Sequence, residues 1–525
     1  MGYQPLTINQ QNRRGFKTSM MPKQGLDLED LSQVMNTEYA LIIDNYIPQR
    51  YGLDKRKGLQ EIFDRAAGTP ITLFKYFRDD TFIFGYGTKV EAYNFTTATF
   101  TAIKTNFTSG TFDGARAGDY FLVCNGVEKV WRIDSALTIG EIAASPVCTA
   151  ITVLGTRAFA AVGTACYYSN VDDGTNPPFS TWTVGILATD GGKVTSRNTG
   201  TIRSILQYAQ YYVCFADDGY FAFSIDTIDS AGTLTKIDNV QDYTEDFGGA
   251  RGAISTPYGI FYVNESGMWQ MVAVGTTTVP ANRQQMLTST LLGSRFFKDV
   301  DLSNCDMIHD QSQELILVTC ADSSETNNLI IGCSLKTKNK AFFTISNWNI
   351  SRFAKIGQTI YGASSLSAKA FELFTGYSDD GVAIPTEYYQ EIPMDGLWLK
   401  NKLWGLYAGG YLSPLSELTI SFDIYDVAGK PILNKREYEW STQRAANRFN
   451  GWGTASWGSA SWGGDLDLSG LVESFDGGSP RIGNFQRLRI RVTGSEEARH
   501  VINWLAVGIE TKGPIKRRHI SQITS

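Results

Sequence analysis

Histidine is scarce in this chain, which has only His309, His500 and His519. That is thin material for a His-ligated metal centre or a His general base. Charge is sparse too: Asp, Glu, Lys and Arg make up 19 % and the formal net charge is −6. No basic stripe runs along the chain, which argues against a dedicated nucleic-acid-binding domain. No run of 18 apolar residues occurs, so no transmembrane helix is expected. The opening MGYQPLTINQQNRRGFKTSM has no apolar core of a signal peptide, and Leu6 stands where an N-myristoylation pattern needs Ser or Thr. The expectation is a soluble chain made in the cytoplasm, without a membrane anchor.

The seven cysteines, Cys124, Cys148, Cys166, Cys214, Cys305, Cys320 and Cys333, include no C-x-x-C pair. An odd number without framework spacing, several in apolar runs such as Tyr212-Val213-Cys214-Phe215, reads as buried free thiols in a reducing compartment. Phosphate-loop, H-E-x-x-H, G-x-S-x-G and EF-hand motifs are all missing. No catalytic residue, metal ligand or cofactor is therefore expected. His309, after Met307-Ile308 and before Asp310, reads as a satisfied structural or surface histidine rather than a catalytic one.

What the chain has in quantity is aromatic residues and glycine: 25 Tyr, 29 Phe, 11 Trp and 51 Gly in 525 residues. Aromatic side chains favour strands and glycine supplies tight turns, so composition leans all-β. The length favours two or more domains. Residues 1–65 read as an extended arm with one short helix over 28–35. From about residue 66 to 385 a loose repeat appears, a greasy strand, a turn and a second strand. Its seven copies begin at Phe82, Tyr120, Ala158, Tyr211, Ile260, Leu315 and Thr359. The spacing of about 38 to 54 residues matches propeller blades. Strands apolar on both faces suit the inner part of a blade, sandwiched between its neighbours. The expected fold is all-β: a propeller of about seven blades over 66–385, then a C-terminal antiparallel β-sandwich-like platform module over 386–525.

Within that module, residues 451–464 place Trp452, Trp457 and Trp462 five apart among Gly, Ser and Ala. Such composition reads as a flexible linker or, since three indoles are costly to leave in water, as an ordered loop docking on a neighbouring domain or subunit. A second biased stretch holds Asp217, Asp218, Asp226, Asp229, Asp238, Asp242, Glu245 and Asp246 against the single base Lys236. It reads as a solvated face or as an acidic lining that repels DNA phosphate. Asp217-Asp218-Gly219 and Asp379-Asp380-Gly381 read as tight turns, as does Asp172-Asp173-Gly174, which with Ser180-Thr181-Trp182 only faintly suggests a sialidase Asp-box. The basic tail from Lys512 to His519 is a disordered end or a docking peptide for an acidic neighbour.

The run Asp44-Asn45-Tyr46-Ile47-Pro48 to Gly52-Leu53-Asp54-Lys55-Arg56-Lys57-Gly58 resembles the opening signature of tail proteins from short-tailed phages, with Lys57 where that Gly-Leu-x-x-Arg-Pro-Gly-like turn has Pro. Three central pieces are similar to packaged-DNA-stabilising tail hub and nozzle proteins: Tyr168-Ser169 to Pro178, Tyr211 to Ser224, and Thr256-Pro257-Tyr258-Gly259-Ile260-Phe261. Phe485 to Val492 resembles their closing strand. The resemblance implies a propeller protomer of a homo-hexameric ring in the virion tail, below the portal and its head-to-tail adaptor protein, near tail fibre or needle proteins. Such a ring extends the channel for passing double-stranded DNA, without sequence-specific binding, and retains the genome until ejection. The competing reading is a carbohydrate-binding or glycosidase-type propeller of a receptor-reading tail component. A cytoplasmic scaffold propeller is a third, which the N-terminal arm and the Trp-Gly repeat fit poorly.

Overall fold

The computed structural model describes residues 13–20, 25–26, 39–50, 52–65, 67–172, 178–195, 200–208, 211–230, 233–244, 252–272, 283–286, 297, 299–322, 326–337, 340–393, 399–413, 416–425, 431–441, 482–485 and 487–514. The helix expected over 28–35 lies outside them. The chain forms two compact units, one of residues 59–333 and 345–375, the other of 1–58, 334–344 and 376–525. This differs from a division at residues 65 and 385. The N-terminal stretch pairs with C-terminal strands (Ile42–Asp44 with Tyr389–Glu387) instead of standing apart as an arm, and residues 59–64 go to the other unit.

The larger unit is a β-propeller. Its seven innermost strands are Ile71–Arg78, Asp113–Ala117, Ala150–Leu154, Ile202–Tyr208, Gly252–Thr256, Met307–Asp310 and Ile350–Ile356. Each touches the next, and the last touches the first, so the ring is closed. In every blade the second and third strands are the two halves of a greasy repeat, for example Thr81–Tyr86 with Lys89–Asn94 in blade 1 and Gly259–Asn264 with Gly267–Val272 in blade 5. The second strands Thr81–Tyr86 and Gly259–Asn264 are buried along their whole length, and the other five at all but one residue. Both their faces meet a neighbouring blade, so no polar alternation survives in them. Innermost strands such as Ile71–Arg78 and Asp113–Ala117 are only partly buried, because one face lines the hub, whereas Met307–Asp310 of blade 6 is buried throughout.

Hydrophobic clusters fill the gaps between blades. Leu73, Phe77 and Ile83 of blade 1 pack with Phe121 and Val123 of blade 2. Phe159 and Cys166 of blade 3 pack with Cys214 and Phe223 of blade 4. All seven cysteines are free thiols, and every one but Cys305 is buried. Cys214 sits against Cys166, and burial pushes its thiol far up. They act as small apolar fillers.

Ring closure uses a strand from the other end of the chain. Gly58–Asp64 joins blade 7 beside Lys369–Thr375, outside the three strands that come from residues 350–375. Lys369 pairs with Glu61 at 2.8 Å and with Asp64 at 2.9 Å. The Arg65 amide donates to Ala368 O, and the Ala368 amide donates to Ala67 O. Phe63 then inserts among blade-1 rings, 4.7 Å from Tyr93 and 4.9 Å from Phe84 between centroids. The cluster around it also takes Ala354, Tyr361, Ala363 and Ala370 from blade 7.

The second unit contains two sheets. One has Tyr46–Gln49, Gly52–Lys55, His500–Pro514, Leu399–Leu412 and Ile482–Phe485, with Arg13–Met20 pairing to His500–Pro514. The other joins Ile42–Asp44, Thr386–Pro393, Arg487–Gly494, Glu417–Tyr425 and Pro431–Ser441 in antiparallel pairs. The Gly-Leu-x-x-Arg segment makes the hairpin Tyr46–Gln49/Gly52–Lys55. Gly52 is required there, since a Cβ would lie 2.4 Å from Ile502 O. Arg56 follows, fully buried and gripped by both Asp379 oxygens at 2.8 and 2.6 Å, while its Nε donates to Asn45 Oδ1 at 2.6 Å. Asn45 has φ 58°, a left-handed conformation that Asn tolerates, and its amide donates to Pro385 O at 2.7 Å. Asp380 and Gly381 both have positive φ (50° and 81°), the tight turn expected of Asp379-Asp380-Gly381.

Beside this cluster His500 is buried, its Nε2 2.8 Å from the Tyr46 hydroxyl, which Thr386 Oγ1 also reaches at 3.2 Å. Burial, reinforced by the Lys55 ammonium, lowers the His500 pKa to about 3. Lys55, held by the Glu496 carbonyl, is itself lowered to about 8 by burial and by Arg56.

Two outcomes follow from closure and burial. Phe63→Ala should cost about 3–5 kcal/mol, as large-to-small aromatic core changes do, and lower the melting temperature of the full chain. Lys369→Met, which removes only partly exposed ion pairs, should lower it less; equal losses would mean that the ring is not sealed by Phe63. His500 gives the second. Its folded pKa lies below the unfolded value of about 6.5, so the unfolded chain binds the proton first as pH falls. Stability is complete above about pH 6.5 and declines by up to about 1.4 kcal/mol per pH unit towards the folded value. The melting temperature should therefore fall from pH 7.5 to pH 5, and fall less in His500→Gln. Parallel curves for the two proteins would rule out this titration.

Candidate functional site

The acidic stretch falls on blade 4, whose outer hairpin pairs Gly219–Ser230 with Thr233–Thr244 in unbroken register. The inner neighbour, Tyr211–Ala216, covers only Gly219–Phe223. The hairpin continues from Ser224 to Ser230, with Thr233–Asn239 opposite, for about 23 Å at strand rise, and Ile225 still packs against the cluster between blades 3 and 4. Asp226, Asp229 and Asp238 lie on this extension, while Asp242 pairs with Phe221 within the blade. By register Asp229, Asp238 and Asp242 share one face of the ribbon with Lys236, and Asp226 lies on the other. Asp217 and Asp218 form the turn before the hairpin, as expected. Arg203 takes both Asp217 oxygens, at 2.8 and 3.0 Å, so this acid serves a surface ion pair. Glu245, Asp246, Asp173, Trp452, Trp457 and Trp462 lie outside the described residues, as does the basic tail from Ile515 onward.

A second place went unread in the sequence. At the hub, the C-terminal ends of inner strands from blades 1, 2, 5, 6 and 7 surround a cavity of about 450 Å³. Its polar lining is Lys75, Arg116, Ser255, His309, Gln311 and Lys355, and none of its described lining residues is acidic. Asp310, beside His309 on the blade-6 inner strand, accepts from Ser312 and Gln313 in its own turn, and two further carboxylates accept backbone donors that join blades. Asp113 Oδ2 accepts the Ile151 amide at 2.8 Å, and Asp306 Oδ2 accepts the Phe353 amide at 2.7 Å. Asp113 also interacts electrostatically with Lys75. Lys355 Nζ reaches His309 O at 3.3 Å and Gln311 Oε1 at 3.4 Å, and Arg116 Nε donates to Gly118 O at 3.2 Å.

His309 is not the satisfied or surface histidine expected from the sequence. It is 6 % exposed, and its Nε2 has no hydrogen-bond partner. Burial lowers its pKa, Lys355 adds to the effect, and Asp310 and Glu314 oppose it. The ring is therefore neutral at pH 7, beside the Tyr258 ring at 6.0 Å. A legible signal did exist: Lys75, Arg116 and Lys355 each sit near the end of the strand preceding a greasy repeat. Among the described residues no group of three or more His, Cys, Asp or Glu is placed to hold a metal ion, and no helix is long and apolar enough to cross a membrane.

No protein-family model matches the chain, and no curated protein does. Solved structures do. The extracellular domain of the one-component system BT4673 from B. thetaiotaomicron aligns at a TM-score of 0.42 and 10 % identity, over 68 % of this chain and 44 % of that one. This chain thus matches under half the length of that domain. YCF48 from Cyanidioschyzon merolae aligns at 0.38 and 12 % identity, over 60 % and 98 %. A chain of a mitotic checkpoint complex aligns at 0.37 and 10 % identity, over 67 % and 99 %.

Proposed function

We propose that this chain is a structural virion protein, the protomer of a hexameric nozzle ring in a short phage tail, and not an enzyme. The observation that carries this reading is mechanical. A closed seven-bladed propeller is joined to a second all-β unit by four chain crossings, at residues 58/59, 333/334, 344/345 and 375/376. A wall that withstands the pressure of packaged DNA needs the stiffness of a closed ring and no reaction chemistry. The blade-4 ribbon supports the same reading. It carries three acids against Lys236, a charge excess that repels phosphate and keeps passing DNA from adhering. The tail-nozzle resemblance supplies the setting: a place below the portal-adaptor, next to fibre or needle proteins.

The test is assembly. Full-length protein co-expressed with the head-to-tail adaptor of the same genome should give six-fold rings in negative stain. It should also bind duplex DNA at 0.15 M salt no more tightly than about 10⁻⁴–10⁻⁶ M, the range of non-specific binding. A protein that stays monomeric beside the adaptor and binds specific glycans on an array would replace this reading with that of a receptor-reading propeller.

A further inference from the structure

We propose that the propeller hub is a binding site for a small phosphate-bearing anion, held between Lys75, Arg116 and Lys355 and accepting a hydrogen bond from His309 Nε2. This is independent of the virion reading. Three fixed cations converge from blades 1, 2 and 7 on one cavity whose described lining holds no carboxylate. Asp113 offsets Lys75 while also accepting the Ile151 amide, so Arg116 and Lys355 are the two cations with no carboxylate at hydrogen-bond range. A singly charged carboxylate would leave one of them uncompensated. A phosphate or diphosphate carries enough charge, suits the Lys point charges and matches the planar fork of Arg116.

His309 is the second, independent observation. A buried ring nitrogen without a partner is costly, and such atoms in native folds call for an explanation. In the Nε2–H tautomer it offers a donor to an oxyanion at the cavity wall, without adding another charge. The size also fits, since about 450 Å³ lies within the roughly 300–1,000 Å³ typical of small-molecule pockets. Arg116 and Gln311 are exposed at the mouth, which leaves an entrance from solvent.

The test is calorimetric titration of the full chain with sodium pyrophosphate and with inorganic phosphate at fixed ionic strength. One saturable site per chain is expected, with pyrophosphate tighter than phosphate. The double variant Lys75→Met/Lys355→Met should weaken pyrophosphate by about tenfold or more, and His309→Phe several-fold. Arg116→Gln changes an exposed side chain, so it should keep the wild-type melting temperature and still weaken binding. It decides the matter if a buried variant misfolds. A duplex oligonucleotide should not displace pyrophosphate, which separates a small-molecule site from a DNA-backbone site. Absence of saturable binding, an affinity unchanged in Arg116→Gln, or displacement by duplex DNA would overturn the proposal.

Discussion

Burial of blade faces against one another is the interaction on which the larger unit depends, and it is complete only if the ring closes. A blade at an open end would expose a sheet face as greasy as Phe74, Phe82 and Phe84, together with an unpaired edge. The chain avoids this by giving Gly58–Asp64 to the last blade, so that covalent continuity ties residue 64 to blade 1 while the strand itself belongs to blade 7. Phe63 converts that pairing into core, because its ring is shared with Phe74, Phe84, Tyr93 and Phe100. A closing strand held by hydrogen bonds alone would slip; one anchored by a phenyl ring has a single register.

The same economy shapes the second unit. Arg56 is a fully buried charge, tolerable only because Asp379 takes it bidentately and Asn45 takes its remaining Nε–H. Those three residues lie in two segments more than 300 positions apart. The basic run Lys55-Arg56-Lys57 is therefore largely a structural joint: Lys55 and Arg56 are buried and only Lys57 faces solvent.

This contrast marks what was legible. All seven greasy repeats correspond to second and third strands, because a strand sandwiched between blades shows its burial as a continuous apolar run. The innermost strands were not legible. Hub-facing positions interrupt their burial, so their patterns are short and mixed, as in Asp113-Gly114-Ala115-Arg116-Ala117. The closing strand was missed as well, since nothing local in Gly-Leu-Gln-Glu-Ile-Phe-Asp tells which of its distant partners it will meet. The hub cavity follows the inner strands: its residues come from five blades, and their convergence is a property of the ring rather than of any segment.

Charge at the hub then has a physical origin of its own. Seven inner strands enclose more space than their side chains fill, so hub-facing positions escape the packing constraint that fixes Phe82 or Ile260. Acids at this level are consumed in joining blades, Asp113 to Ile151 and Asp306 to Phe353, where a carboxylate accepts a backbone amide that the neighbouring strand cannot pair. Each joint fixes a negative charge near the hub wall. Cations nearby offset that charge, and Lys75 does so for Asp113. Lys355 is held instead by neutral oxygens, His309 O and Gln311 Oε1, and Arg116 by Gly118 O. Two positive charges at the mouth thus have no carboxylate at hydrogen-bond range. They lie beside His309, whose pKa burial lowers and Lys355 lowers further.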